Sequence, residues 1–237
     1  MEADTRETDS IVTIEPRVAV VGLGGAGCNV VSVFYNALAP VDTIAINTDR
    51  KALDETVADR KLYICKEVTK GEGTRGDAGL GNKCAKVHEE NIEKALIGHD
   101  IVFLVVGLGG GTGTGAASVV ADICNRNNMM TFTIAINPFS FESDRLSVAR
   151  NGLRSIRAVC PNTFTIENDK VLELMPDATF SEAVRAVNES IMDFVGKTTE
   201  AILSRIEAEI SSDKLTVSME IKDRNMPEIQ TLSKIKT

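Results

Sequence analysis

Two glycine-rich runs carry the residues of this chain best suited to chemistry. Gly22-Leu23-Gly24-Gly25-Ala26-Gly27-Cys28-Asn29 follows an apolar run, Arg17 to Gly22, and leads into a segment of helical spacing from Cys28 to Leu38. Glycines at a strand-to-helix junction let the backbone approach a ligand closely, and a helix N-terminus offers free N–H groups with a partial positive charge. The chemistry is anion binding, most naturally of phosphate. By itself this run also fits the G-x-G-x-x-G of dinucleotide enzymes, whose acidic residue about 20 positions on would here be Asp49. A second run, Gly109-Gly110-Gly111-Thr112-Gly113-Thr114-Gly115, follows the apolar stretch DIVFLVVGL and opens another helix, with two hydroxyls added. Two cradles at one sheet edge suit a triphosphate better than one pyrophosphate. There is no G-x-x-x-x-G-K-[ST], so the lysine-based phosphate loop is excluded.

Other chemistries have little to build on. His88 and His99 are the only histidines, too few for a His-based metal site or a Ser-His-Asp arrangement, and both read as surface or helix-end residues. Five cysteines (Cys28, Cys65, Cys84, Cys124, Cys160) without a C-x-x-C pair suggest neither a disulfide framework nor a zinc site. They read as reduced, mostly buried thiols of a cytoplasmic protein.

The elements that must position the glycine runs follow from hydrophobic pattern. Strands are expected at 17–22, 41–49, 61–65, 100–110, 130–137 and 163–168, with helices at 28–38, from about Ala116 to Arg126, from Ser143 to Ala158, and as one long element from Phe180 to Ile210. Alternating strands and helices predict an α/β fold with a mostly parallel, Rossmann-like sheet flanked by helices. Leu215, Val217, Met219 and Ile221 alternate as in one more strand, and the end beyond Pro227 reads as frayed. Residues 1–16 are acidic and polar and read as a disordered tail.

The 237 residues are 43% apolar and 25% charged, ordinary for a soluble globular protein able to bury a core. No apolar run reaches the roughly 18 residues of a transmembrane helix. Twenty-six basic against 34 acidic residues give a net charge of −8, the wrong sign for wrapping a polyanion, so nucleic acid is not an expected partner. Aromatics are 4% with no Trp, which leaves little for a broad stacking platform.

GGGTGTG after an apolar strand, together with GLGGAGCN near the N-terminus, resembles the tubulin/FtsZ superfamily of GTP-binding cytoskeletal proteins, and prokaryotic FtsZ more than eukaryotic tubulin. AINTDRKAL (45–53), the loop TKGEGTRGDAGLG (69–81), NPFSFE (137–142) and IENDK (166–170) support it, and the likeness covers residues 17–205. The resemblance implies GTP or GDP as ligand, with Mg²⁺ only as a companion of the phosphates. It places Gly24, Gly25, Ala26, Gly27 and Asn29 against the nucleotide and wraps Gly110, Gly111, Thr112, Gly113 and Thr114 around the phosphates. Glu142 and Arg145, the latter one residue early as after a single deletion, would reach the ribose and neighbouring phosphates. Asn168 and Asn188 would read the guanine edge.

The sequence departs from the family in two places. Val184 stands where FtsZ commonly sets a Phe against the base. FtsZ follows its central helix with an acidic N-x-D-x-x-D loop that meets the next subunit's nucleotide; here the aligned stretch is EAEISSDKL (207–215), with Ser211 and Lys214 in place of the aspartates and Glu209 and Asp213 as the nearest acids. Phosphoryl transfer to water needs a group that orients the nucleophile, so slow or absent hydrolysis is expected. The expected organisation is a GTP-binding domain over 17–210 with the central helix at about 180–210, then a short strand or arm over 211–237 in place of the family's second domain. An apolar stripe on the long helix (Val184, Val187, Ile191, Phe194, Val195, Ile202) would then serve homo-oligomerisation or a partner protein. Two other functions stay open: a non-hydrolysing adaptor with a decayed site, and a dinucleotide-dependent enzyme using the first cradle alone.

Overall fold

The computed structural model describes residues 16–37 and 41–224, with side chains described through 209. Unbroken apolar runs make strands that must be covered on both faces. Val18–Leu23 (β1), buried at all six positions, runs into Gly24–Asn36 (α1); Asp42–Asn47 (β2), Arg50–Glu55 (α2), Arg60–Tyr63 (β3) and Lys66–Thr69 (α3) follow. Next come Ala78–Val87 (α4), Glu89–Leu96 (α5), Ile101–Gly107 (β4), Gly111–Arg126 (α6), Met130–Asn137 (β5), Ser143–Val159 (α7), Thr163–Glu167 (β6), Asn168–Leu174 (α8) and Phe180–Arg224 (α9). All six expected strands are present in one sheet of order β3-β2-β1-β4-β5-β6, and every pairing is parallel. The chain moves outward from β1 to β3 and then restarts at β4 on the other side of β1. A crevice opens between the C-terminal ends of strands at such a reversal, which is where α/β proteins bind ligands.

By contacts the chain forms two units, residues 1–189 and 190–237. The first holds the sheet and its helices. The described part of the second is the continuation of α9. Among the described side chains of α9 the buried positions are Ala183, Val187, Ile191 and Val195, a strict four-residue spacing, so three members of the expected apolar stripe form one buried row while Val184 is exposed. The expected strand at 215–221 is not formed: helix runs through to Arg224. A lone strand leaves its N–H and C=O groups without a ladder, whereas a helix bonds them internally, and alternating positions are also i, i+4 pairs. Residues 1–15 of the expected 1–16 tail and the segment after Pro227 lie outside the described residues.

Among the cysteines the expectation holds for three. Cys28, Cys124 and Cys160 are free and buried, and burial pushes the Cys28 thiol up to about 11 and the Cys124 thiol up to about 12. Cys65 and Cys84 instead are joined as a disulfide, with Cα atoms 5.3 Å apart. Nothing in their spacing marks the pair, because α3 and the following loop bring α4 back against the end of β3. His88 lies at a helix end as expected, its Nε2 accepting the Cys65 N–H at 2.7 Å. His99 does not lie at the surface: it is buried, with Nδ1 2.7 Å from Leu96 O and Nε2 2.9 Å from Asp42 Oδ2.

That last contact, followed by the Arg17 guanidinium at 2.9 Å, holds the Asp42 carboxyl below the ordinary carboxylate range. A lowered folded value means the stabilisation is complete above about pH 4, the unfolded value, and is lost as pH falls through the folded one. Asp42 is half-exposed, so Asp42→Asn is expected to lower stability at pH 7 by only about 0.5 kcal/mol. Urea unfolding at pH 7 and pH 3 checks this, the gap between wild type and variant closing at the lower pH.

Candidate functional site

Both glycine runs turn helical at their third residue. α1 begins at Gly24 and α6 at Gly111, ahead of the Cys28 and Ala116 starts that apolar spacing suggests, because a turn built of glycine has no side chains to count. Leu23 and Gly110 stand at the two N-caps and make no side-chain capping bond. By contrast Asp49 caps α2 through the Ala52 N–H and Asp77 caps α4 through the Leu80 N–H, both at 2.9 Å. The Asp77 cap also turns the end of the expected loop, Ala78 to Gly81, into the first turn of α4. The N-termini of α1 and α6 therefore keep their N–H groups and positive dipole ends for a ligand.

The two runs meet at the β1/β4 reversal. Gly24 has φ +70°, and a Cβ there would lie 2.8 Å from the Gly113 amide nitrogen; a Cβ on Gly107 would lie 2.6 Å from that of Ala26. The glycines then divide by task. Gly22 and Gly27 permit close packing, since a Cβ on Gly22 would strike the Gly27 carbonyl and one on Gly27 would strike the Val105 carbonyl in β4. Gly111, Gly115 and Gly81 likewise press α4 on α6: added Cβ atoms would meet Thr74 Oγ1, Ala78 O and Gly111 O respectively. Gly25 has nothing within 4 Å of its Cβ position and is exposed, as are Ala26 and Asn29. That open side is where an anion could approach the first turn of α1.

Threonines line the junction. Thr112 Oγ1 lies 2.6 Å from Thr48 Oγ1 and 3.4 Å from Thr74 Oγ1, all three residues being buried. Thr114 Oγ1 is buried with no partner, and so is Asn47 Nδ2, while Asn47 Oδ1 accepts the N–H groups of Thr48 and Asp49. Asn47, Thr48 and Thr74 were not among the residues the sequence singled out for the site. Their signal was available, since INTD ends a strand at the same sheet edge and Thr74 sits in the glycine-rich loop. Lys70, Gly71, Gly73, Arg75 and Gly76 of that loop all have positive φ, and Glu72 forms a bridge with Asp49.

The remaining expected residues are placed as follows. Arg145 borders the second run, a Cβ on Gly109 lying 2.7 Å from that of Arg145, and its guanidinium donates to Glu142 Oε1 at 2.7 Å. Glu142 Oε2 also accepts the Phe139 N–H at 3.1 Å. Asn168, half-buried, opens α8 at the end of β6; its neighbours Glu167 and Asp169 accept from Asn137 Nδ2 and from the Ser140 N–H, which ties β6 to the segment after β5. Asn188 is half-buried on α9 beside the buried Val187. The structure thus joins the two glycine runs and Arg145 with Glu142 directly, while Asn168 stands at the start of α8 and Asn188 on α9.

Known proteins resemble this chain in sequence and fold. Residues 17–176 match the Tubulin/FtsZ family, GTPase domain. The chain is 36% identical over 189 residues to cell division protein FtsZ 2 of Methanocaldococcus jannaschii, covering 79% of this chain and 50% of that protein. It is 38% identical over 191 residues to cell division protein FtsZ 1 of Pyrococcus horikoshii, covering 80% and 51%. Among solved structures it resembles an empty FtsZ dimer of M. jannaschii, with a TM-score of 0.72, 35% identity and 77% of this chain against 54% of that one. It also resembles a GTPγS-bound CetZ2 protofilament from Haloferax volcanii, with a TM-score of 0.69, 25% identity and coverage of 77% and 57%. The chain spans about half the length of the curated relatives it matches. The family match over residues 17–176, the extended sequence identity and the likeness of fold agree, and the chain belongs to the tubulin/FtsZ family through its GTPase domain.

Proposed function

We propose that this chain binds GTP or GDP across its two glycine runs, hydrolyses GTP slowly or not at all, and uses nucleotide state to control self-association or docking on a partner in a cytoplasmic division or cytoskeletal process. The meeting of two uncapped helix N-termini at Gly24 and Gly113 carries this reading. The residues present fit the ligand: Gly25 leaves a cradle that a side chain would fill, and Thr114 Oγ1 and Asn47 Nδ2 are buried polar atoms without partners. Gly24 to Gly27 and Gly110 to Thr114 would hold the phosphates through backbone N–H groups, Thr112 would add its hydroxyl, and Mg²⁺ would enter with the phosphates. The nucleotide supplies a transferable terminal phosphate. Slow transfer is supported by Ser211 and Lys214, which lie in α9 where the family sets an acidic loop. Self-association is supported by the dimer and protofilament formed by the relatives above.

The test is the nucleotide released on denaturing the purified protein, then thermal unfolding with added GTP and phosphate release over a protein concentration series. Guanine nucleotide is expected in the supernatant. GTP at 100 times its Kd should raise Tm by roughly 5–10 °C. No shift at millimolar GTP would favour the adaptor, released NAD would favour the dinucleotide enzyme, and brisk concentration-dependent phosphate release would overturn slow hydrolysis alone.

A further inference from the structure

Phe139, Phe141 and Phe180 form an aromatic stack beside the start of α7. Phe139 is buried; its ring centroid lies 5.1 Å from that of Phe141, nearly parallel, and 5.6 Å from that of Phe180, tilted by 46°. The outer rings are open, Phe141 at 71% and Phe180 at 61% exposure. A short chain of contacts ties the stack to the second glycine run: Phe139 to Glu142, Glu142 to Arg145, and Arg145 to Gly109.

Phe180 is also held firmly. It is the first residue of α9, and Thr179 with Glu182 forms a reciprocal cap: the Thr179 N–H and Oγ1 donate to Glu182 Oε2 at 2.7 Å, and the Glu182 N–H donates back to Thr179 Oγ1 at 3.3 Å. At a spacing of four, Phe180, Val184 and Asn188 lie on one row of the helix. The first two are exposed and Asn188 is half-buried, while the adjoining row of Ala183 and Val187 is buried. The accessible row therefore presents an aromatic face, an aliphatic patch, and an amide that both donates and accepts. Those are the parts needed to hold a flat heteroaromatic ring with a hydrogen-bonding edge.

We infer that Phe180, backed by Phe139, is the stacking surface for the purine of the bound nucleotide, one helical turn ahead of Val184. The inference rests on the guanine-nucleotide reading and adds to it the residue through which the base, and not only the phosphates, contributes to affinity.

The chain contains no Trp, so Phe180→Trp makes a single-tryptophan reporter. GTP is expected to quench its emission, inorganic tripolyphosphate to leave it unchanged, and Tyr35→Trp on the last turn of α1 to respond to neither. By calorimetry, Phe180→Ala should weaken GTP binding roughly 5- to 100-fold, the range for loss of one base–aromatic stack, with tripolyphosphate affinity held within about twofold. Adding Val184→Phe to Phe180→Ala should recover most of the loss, which a folding defect would not allow. GTP binding within about twofold of wild type in Phe180→Ala, or equal losses for GTP and tripolyphosphate, overturns the stacking role alone. A wild-type protein that binds neither ligand overturns the nucleotide reading and this inference with it.

Discussion

Gly25→Val is expected to weaken GTP binding by at least about 100-fold while leaving the Tm of the nucleotide-free protein within about 2 °C of wild type. The two halves of this expectation have separate causes. Gly25 is exposed in the first turn of α1 and has no protein atom within 4 Å of its Cβ position, so a valine side chain meets nothing and no part of the core must move. In a helix, valine is no worse than glycine in intrinsic propensity. The space it fills is the side from which, on the proposed reading, a phosphate would reach the uncapped N–H groups. A hydrogen bond from an amide to a charged group contributes about 1.5–3 kcal/mol, so blocking two removes roughly 3–6 kcal/mol and gives the 100-fold loss or more. Calorimetric titration with GTP, paired with thermal unfolding of the nucleotide-free protein, checks both halves. Unchanged affinity in Gly25→Val would mean that no ligand enters over the first turn of α1, and the proposed site would be wrong.

Much of this was legible beforehand, for reasons that differ by element. β1, β4 and β5 could be read because strands covered on both faces leave long apolar runs, and the site's edge followed from glycines placed after two of them. The starts of α1 and α6 could not, since apolar periodicity has nothing to register in Gly24–Gly27 or Gly111–Gly115. Nor could the division of labour among those glycines. Gly25 and Gly27 are equivalent in sequence, yet one faces open space and the other the Val105 carbonyl, a distinction set by how closely α1 rides over β1 and β4. Leu215 to Ile221 failed in the opposite way: alternation was visible, but a strand needs a neighbour, which no local pattern supplies. The Cys65–Cys84 pair and the burial of His99 against Asp42 are tertiary facts of the same kind. Low aromatic content was also a poor guide, because three of the eight phenylalanines gather at one place, and an average is blind to clustering.

The opposite result is expected two residues along. Gly27→Ala should destabilise the fold by about 3 kcal/mol, lowering Tm by roughly 6–12 °C, because its methyl group would strike the Val105 carbonyl and crowd the backbone of Gly22. Inserted methyl groups in packed interiors generally cost about 1–3 kcal/mol, and the upper end applies where the obstacle cannot rotate away. Val105 cannot: it is paired in register with Gly22 of β1 on one side and Ile134 of β5 on the other, so α1 must lift from the sheet. Gly196→Ala provides the internal comparison. Gly196 lies within α9 with nothing within 4 Å of its Cβ position, so the same substitution there should stabilise by about 0.5–1 kcal/mol through helix propensity. Urea and thermal unfolding of the two variants would thus show opposite signs from one chemical change. If Gly27→Ala instead kept the wild-type Tm and lost GTP affinity, Gly27 would belong with Gly25 as a ligand-facing residue, and the close seating of α1 on β4 would not be what makes glycine necessary there.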